Sequence, residues 1–386
     1  MDTLEYTETE IREDTPAIAV ARKREVLWLQ EVLLDRTRMC ALIQREPGNA
    51  LARFLFSSSL HEPRREAPDP LLSRQVSYDT SLLKELRKAG VDLGGALEIC
   101  RILSKAIRNS VDRLMTLRTY AFVGLDTQHA VVIAPHREDY EVVWGAERER
   151  ISARHLSSLR QLYRTHTPSD REEADFARRV FCLLRRYDAV GGPTYQCSVT
   201  REVFAVLRKD FGVTKECFAS PLNRNADVFW SGFADTDRFF GSHGSFFESW
   251  TSPLVTEGGG FYANPPFVEE YIERLCACVR TMMAWSVAVT FAIVLPVWED
   301  CAGYSWFASS PFTQVHLVLL PGRHVYMDGK QHTGSAKAGS RHAVNFSSAC
   351  FILQNEQGKK QVSVDEGKRR RLLESFSIRE RVNGRI

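Results

Sequence analysis

Apolar residues change their period along this chain, and the change divides it. Between Lys23 and Leu55 they recur at three- and four-residue spacings, at Leu27, Leu29, Val32, Leu33, Leu34 and Met39, which predicts helix. The acidic, polar stretch before about residue 20 predicts a disordered N-terminus. Glu62 to Pro70 holds three prolines among charges and predicts a loop. Asp79-Thr80-Ser81 is a helix cap for Leu82-Leu83-Leu86, which ends at Gly90. Leu97 to Leu117 resumes a helix, with Ile99, Leu103, Ile107, Val111 and Leu114 on one stripe. Strand-like runs follow at Tyr120–Val123, Ala130–Ala134 and Tyr140–Trp144. Leu156 to Tyr187 reads as a helix rich in arginine, and Gly191-Gly192-Pro193 marks a domain boundary after it.

From Val199 the grammar alternates. Helix 199–211 precedes strands 213–220 and 228–233, each a compact apolar run. A short strand, Phe261–Ala263, stops at two prolines, helix 268–285 follows, and strand 287–297 is almost wholly apolar. Late strands are expected at 315–320 and 349–353. Apolar strands alternating with helices predict a parallel sheet with helices on its faces. The last two strands, joined by a polar loop without a helix, predict an antiparallel pair at one edge. The expectation is an α/β core over 191–375, a mainly helical accessory, RNA-binding part over 21–190, and tails at 1–20 and 376–386. Ligands of such sheets lie beyond the carboxyl ends of the strands. Both sharp turns, Ser220-Pro221 and Asn264-Pro265, fall there.

Composition narrows the function classes. The 386 residues are 44% hydrophobic, ample for a large core, and the formal charge of +3 does not by itself announce a nucleic-acid binder. Nine scattered cysteines without Cys-x-x-Cys spacing argue against a disulfide framework or a zinc site, and no metal is expected. No signal-peptide pattern opens the chain, and its longest apolar stretch, around Trp285 to Trp298, is too short and interrupted to span a bilayer. A soluble intracellular protein is expected. Basic clusters carry the case for RNA: Arg160 and Arg164, Arg178-Arg179, Arg185-Arg186, then Arg323, His324, Lys330, His332, Lys337, Arg341 and His342. Lys359-Lys360 and Lys368-Arg369-Arg370-Arg371 read either as a nuclear import signal or as a charged helix face beside Leu372 and Leu373.

The most specific chemistry is at Asn264-Pro265-Pro266-Phe267. Two prolines end the strand and lock the turn. One reading is an ordinary turn with a polar cap. The other is a cradle for an exocyclic amino group, whose two N–H donors need two acceptors. Asn264 Oδ1 and the Pro265 carbonyl supply them, and Phe267 supplies a face for the base. Upstream, Glu216 to Asn223 ends the first strand, with Ala219 and Ser220 small enough for a close backbone approach to a ligand. Asp235 and Asp237 follow the second strand, as acceptors for ribose hydroxyls or as turn caps.

The tetrapeptide resembles the signature of amino-methyltransferases that use S-adenosylmethionine. Longer runs make the resemblance specific: Glu-Cys-Phe-Ala-Ser-Pro-Leu-Asn at 216–223, Asp235-Thr236-Asp237 with Phe240-Gly241-Ser242, and Ala263 to Phe267 with Glu269-Glu270. Ile293 to Glu299, Gln331-His332 and Phe351 to Asn355 agree as well. Over residues 190–375 the chain resembles the phosphorylated-CTD-interacting-factor family, cap-specific adenosine N6-methyltransferases. The resemblance implies a Rossmann-like S-adenosylmethionine-dependent methyltransferase core and a substrate of 5′-capped RNA beginning with adenosine. It implies a catalytic set of Asn264, Pro265, Pro266 and Phe267. The implied cofactor set is Gln196, Glu216, Phe218, Ala219, Ser220, Pro221, Asn223, Asp235, Asp237 and Asn264. Phe267, Glu269, Trp298, Arg323, His332 and Arg341 are implied for the cap and substrate. No Trp-Trp domain is read before the core, so docking on the phosphorylated polymerase tail is not expected. The alternatives are a DNA adenine methyltransferase and a catalytically inactive RNA-binding protein on the same fold.

Overall fold

Helix α1, Pro16–Arg36, begins earlier than the polar N-terminus predicts. Pro16 occupies the first turn, where a missing N–H is harmless, and the Thr15 hydroxyl accepts the Ile18 N–H. The disorder expected up to residue 20 is therefore corrected over 14–20, where Asp14 is buried and α1 has begun. In this computed structural model the described residues are 14–38, 47–59, 69–74, 81–122, 129–167, 173–190, 196–333 and 341–377. Helices α2 (Pro47–Ser59), α3 (Ser81–Lys88) and α4 (Leu93–Phe122) follow. α4 continues through Tyr120 to Phe122, so the strand expected there is helix. An antiparallel meander comes next, of β1 (Val132–His136), β2 (Asp139–Trp144) and β3 (Glu147–Ile151). β3 escaped the sequence reading because Glu147-Arg148-Glu149-Arg150 offers no apolar alternation. The expected long basic helix is two, α5 (Ala153–His166) and α6 (Glu173–Ala189). Thr167, extended at φ −114° and ψ 139°, ends α5 because Pro168 disfavours helix in the residue before it.

The arginines of α6 turn inward. Arg186 is fully buried and bonds Asp14 and Asp235, while buried Arg22 of α1 bonds Asp14 and Asp69. Arg118 of α4 stands 3.6 Å from both Asp14 and Asp69. Arg185 pairs with Glu147 and Glu149, and Arg179 lies 3.7 Å over the Phe239 ring. These residues fasten helices together, so the expectation that they meet RNA is corrected. Burial alone would raise the Asp14 carboxyl, but Arg22 and Arg186 hold it far below the usual carboxylate range.

The second half supplies the main sheet. α7 (Arg201–Phe211) is capped by Thr200 and ends at Gly212, left-handed at φ 70°. Then come β4 (Val213–Glu216), β5 (Val228–Phe229), β6 (Gly259–Ala263), α8 (Glu269–Met283), β7 (Val289–Pro296), α9 (Ala302–Ser309), β8 (Thr313–Leu319), the pair β9 (Val325–Met327) and β10 (Arg341–Ala343), β11 (Ser348–Gln354), α10 (Glu356–Gln361) and α11 (Glu366–Phe376). β5 is shorter than expected because the chain turns after Phe229 into a short helix, Ala234–Asp237. The sheet order is β5-β4-β6-β7-β11-β8. Neighbours from β5 to β7 are parallel, and β11 is antiparallel to both β7 and β8. The late antiparallel pair was foreseen, but β11 lies inside the sheet and only β8 is an edge. Ser348 faces both Pro296 and Leu319, so the carboxyl ends of β4, β6, β7 and β8 form one rim.

Alternation along the strands separates two faces. Phe261, Ile293, Leu295 and Phe351 join one apolar cluster, which continues into Leu29 of α1 and Leu103 of α4. Tyr262, Ala292, Val294 and Ile352 join the other, beneath α7 and α11. The boundary expected at Gly191–Pro193 lies outside the described residues. Lys368 to Arg371 sit on α11, where Leu372 is buried and Arg371 pairs with Asp210 at 2.8 Å. Among the described residues no helix is long and apolar enough to cross a membrane.

Candidate functional site

The chain leaves β4 toward β5 on one side and returns to β6 on the other. That reversal opens a crevice at the carboxyl rim, where ligands of open α/β sheets bind. The turns after β4 and β6, which are adjacent parallel strands, both leave the sheet at this rim. On the β6 side, the Pro266 carbonyl accepts the Val268 N–H at 2.7 Å, which closes the turn and leads into α8. The Asn264 amide donates from Nδ2 to the Val294 carbonyl of β7 at 3.0 Å. A carboxamide held by its nitrogen must direct its oxygen elsewhere, so Oδ1 is presented as an acceptor. The Phe267 ring meets Phe346 at 6.0 Å with planes at 89°, which fixes its orientation.

Beside this turn lies a cavity of about 540 Å³ that gathers three expected residues, Phe267, Glu269 and Trp298. Arg53 of α2 and Lys84 and Lys88 of α3 reach the same cavity, together with Glu299 and Asp300. Lys84 pairs with Glu269 at 2.9 Å, which joins α3 to the first turn of α8. Sequence reading missed these three cations. Their only signal was the Leu82-Leu83-Leu86 stripe, which leaves Lys84 and Lys88 on the polar side of α3.

The β4 turn is held by a relay. Ser220 N donates to Asn223 Oδ1 at 2.7 Å, Asn223 Nδ2 to the Gln196 carbonyl at 3.0 Å, and Gln196 Nε2 to the Tyr187 carbonyl at 2.7 Å. Gln196 and Asn223 thus fasten the turn to α6. Ala219 N donates to the Trp230 carbonyl, and the Phe218 ring packs against Phe246 and Phe247. Pro221 and Asn223 also line a second cavity, described below. Glu216 is buried, and its Oε2 accepts the Asn225 and Ala226 N–H groups at 2.7 and 3.2 Å. Burial pushes its carboxyl up to about 7, against the lowering effect of those bonds.

Several expected ligand residues serve other contacts. Both oxygens of Asp235 are held by Arg186, and Asp237 accepts the Tyr187 and Thr236 hydroxyls. Burial lifts the Asp237 carboxyl to about 6. Both carboxylates are buried and committed to α6 or its neighbours, so a ribose-acceptor role is not carried further. His332 is 6% exposed, its carbonyl accepts the Ser152 N–H, and burial lowers its ring to about 4. It is a neutral packing residue, away from Trp298. Arg323 follows β8 at the edge of the sheet. Arg341 pairs with Glu202 in the second cavity, on the opposite face. Among the described residues no His, Cys, Asp and Glu cluster is arranged to hold a metal.

The profile of the family described as "Phosphorylated CTD interacting factor 1 WW domain" matches residues 158–329, which here form α5 to β9. The Homo sapiens mRNA (2'-O-methyladenosine-N(6)-)-methyltransferase is 34% identical over 224 residues, covering 56% of this chain and 31% of that protein. The Mus musculus protein of the same name is 35% identical over 224 residues, with the same coverage. The chain therefore spans about a third of the length of the relatives it matches.

Proposed function

We propose that this chain, which resembles the phosphorylated-CTD-interacting-factor family over residues 158–329, transfers a methyl group to N6 of the first transcribed adenosine of a capped RNA. One observation carries the reading: the Asn264 amide is held through Nδ2 by the Val294 carbonyl, which leaves Oδ1 as its acceptor at the sheet reversal, three residues before Phe267. The strand order supports a Rossmann-like methyltransferase core, with an antiparallel strand inserted next to the last parallel one.

The residues at the reversal fit S-adenosylmethionine. Neither Phe218–Pro221 nor Asn264–Phe267 carries a cation, which suits a positively charged sulfonium. Phe218 offers a half-buried ring, and Ala219 allows close approach of backbone. When bound, the cofactor supplies an electrophilic methyl carbon. Asn264 Oδ1 and the Pro265 carbonyl accept the two N6 hydrogens of the adenine, which turns the nitrogen lone pair toward that carbon. Phe267 stacks on the base. As the sulfonium's S–CH3 bond broke and left a neutral thioether, the nitrogen would gain the methyl and the positive charge, which the two oxygens would stabilise before a proton passed to water. No general base is needed.

The neighbouring cavity supports a cap-side assignment. Trp298 offers a stacking face, and Glu299 or Asp300 offers a carboxylate to a positively charged 7-methylguanine. Lys84, Lys88 and Arg53 suit the triphosphate. The test is mass spectrometry of an adenosine-initiated RNA and its uncapped twin, each incubated with the protein and S-adenosylmethionine. A methyl mass on the capped RNA alone is expected. Equal modification of both removes the cap assignment, and modification of neither removes the reading.

A further inference from the structure

The second cavity, about 960 Å³, lies on the α7 side of the sheet, whereas Trp298 packs on the other face. The two cavities meet the same rim. The Pro221–Asn225 loop after β4 forms one wall of the second, and it follows the strand adjacent and parallel to β6, which leads to Asn264. Five arginines line it from four different segments: Arg154 on α5, Arg201 and Arg208 on α7, Arg224 in the loop, and Arg341 on β10. Two of them are paired, Arg341 with Glu202 and Arg224 with Asp227, which leaves Arg154, Arg201 and Arg208. Asp139 Oδ1 accepts the Ala153 N–H at the start of α5. Arg154 and Arg201 are exposed and have no carboxylate partner among the described residues. The Arg224 Nη1 donates to the Ala226 carbonyl at 2.8 Å, which holds this arginine in the loop. His155 adds no charge near neutral pH, since burial and Arg154 lower it to about 4.

We infer that this groove holds the phosphate backbone of the RNA downstream of the modified adenosine. The inference rests on the RNA substrate proposed above. The 5′ end would occupy the Trp298 cavity, the first base would reach Asn264 at the rim, and the chain would cross the rim into the arginine groove. Guanidinium groups from separate elements, with Ser158 and Asn223 as neutral donors, suit successive phosphates. The lining offers two rings, Phe204, already covered by Arg208 at 5.7 Å, and His155, held by the Ser152 hydroxyl, so contacts are to backbone rather than to bases. The loop after β4 brings the groove to the rim at which the β6 strand delivers Asn264, which favours RNA over an acidic peptide.

The test uses the full chain and a short, fluorescent, uncapped single-stranded RNA, titrated by anisotropy across a salt series. The variant Arg154→Glu/Arg201→Glu is predicted to bind at least about tenfold more weakly. Its log–log salt slope should be shallower by roughly 1.4, at about 0.7 per phosphate contact on a single strand. Arg154→Gln/Arg201→Gln should fall between the two, and unfolding midpoints should be unchanged because both side chains are exposed. Wild-type affinity and slope in a folded Glu variant overturn the inference. So does a polyglutamate peptide that binds this groove while RNA does not. The outcome is separable from the methyltransferase reading: RNA affinity that depends on Arg154 and Arg201, without any methyl transfer, keeps the groove and removes the enzyme.

Discussion

Burial sets the charge state of Glu216 more strongly than its hydrogen bonds do. Its carboxyl titrates at about 7 in the fold, against 4.5 for an ordinary glutamate. A raised carboxyl contributes stability that is full below the unfolded value and is lost as pH rises through the folded one. Glu216→Gln keeps an acceptor for Asn225 and Ala226 and removes the titration. Between about pH 4.5 and 8 the variant should therefore gain on the wild type by on the order of 3 kcal/mol, at about 1.4 kcal/mol per pH unit. Urea unfolding at several pH values measures this, and parallel pH profiles would contradict it. The same residue shows where sequence stops being informative. Asn264 to Phe267 were legible because two prolines, an amide and a ring define a turn locally. Glu216, Asp235 and Asp237 were not, because a carboxylate at a strand end looks alike whether it meets a ligand or a partner. The partner of Asp235, Arg186, lies 49 residues earlier in the chain.

At the scale of elements, α6 is an internal strut. Its basic run reads in sequence as an RNA surface, yet Arg186 joins Asp14 ahead of α1 to Asp235 beside the β4 turn. Removing one member of a buried charge set leaves the others uncompensated, which typically costs about 3–5 kcal/mol. Arg186→Met should lower the unfolding midpoint accordingly and loosen the Gln196–Asn223 relay that shares α6 as its anchor. Calorimetry checks the first effect; a midpoint equal to the wild type would contradict the strut. The alternating strands and helices of the second half were readable because burial on both faces makes strands continuously apolar. Boundaries in the first half were less so. The α5–α6 break depended on one Thr-Pro step, and β3 was hidden by its charges.

Across the whole molecule, the rim organises function. Helices α2 and α3, distant in sequence from the Asn-Pro-Pro-Phe turn, bring Arg53, Lys84 and Lys88 to it. No local pattern announces such a meeting, so the expected basic loop received charges that the fold assigns elsewhere, as with Arg341 and His332. Lys84→Ala/Lys88→Ala should raise KM for capped RNA by roughly tenfold with little change in kcat, since phosphate contacts strengthen binding before chemistry. An unchanged KM would take the triphosphate out of that cavity. The proposed chemistry itself rests on Asn264. The decisive experiment digests a capped, adenosine-initiated RNA to nucleosides after reaction with S-adenosylmethionine and either the wild type or Asn264→Ala, the fold of each verified. N6-methylated adenosine from the wild type, and a rate lower by ~2–4 kcal/mol of barrier in the variant, is the expected result. Methyl groups at another position, or equal N6 methylation by both proteins, would contradict it.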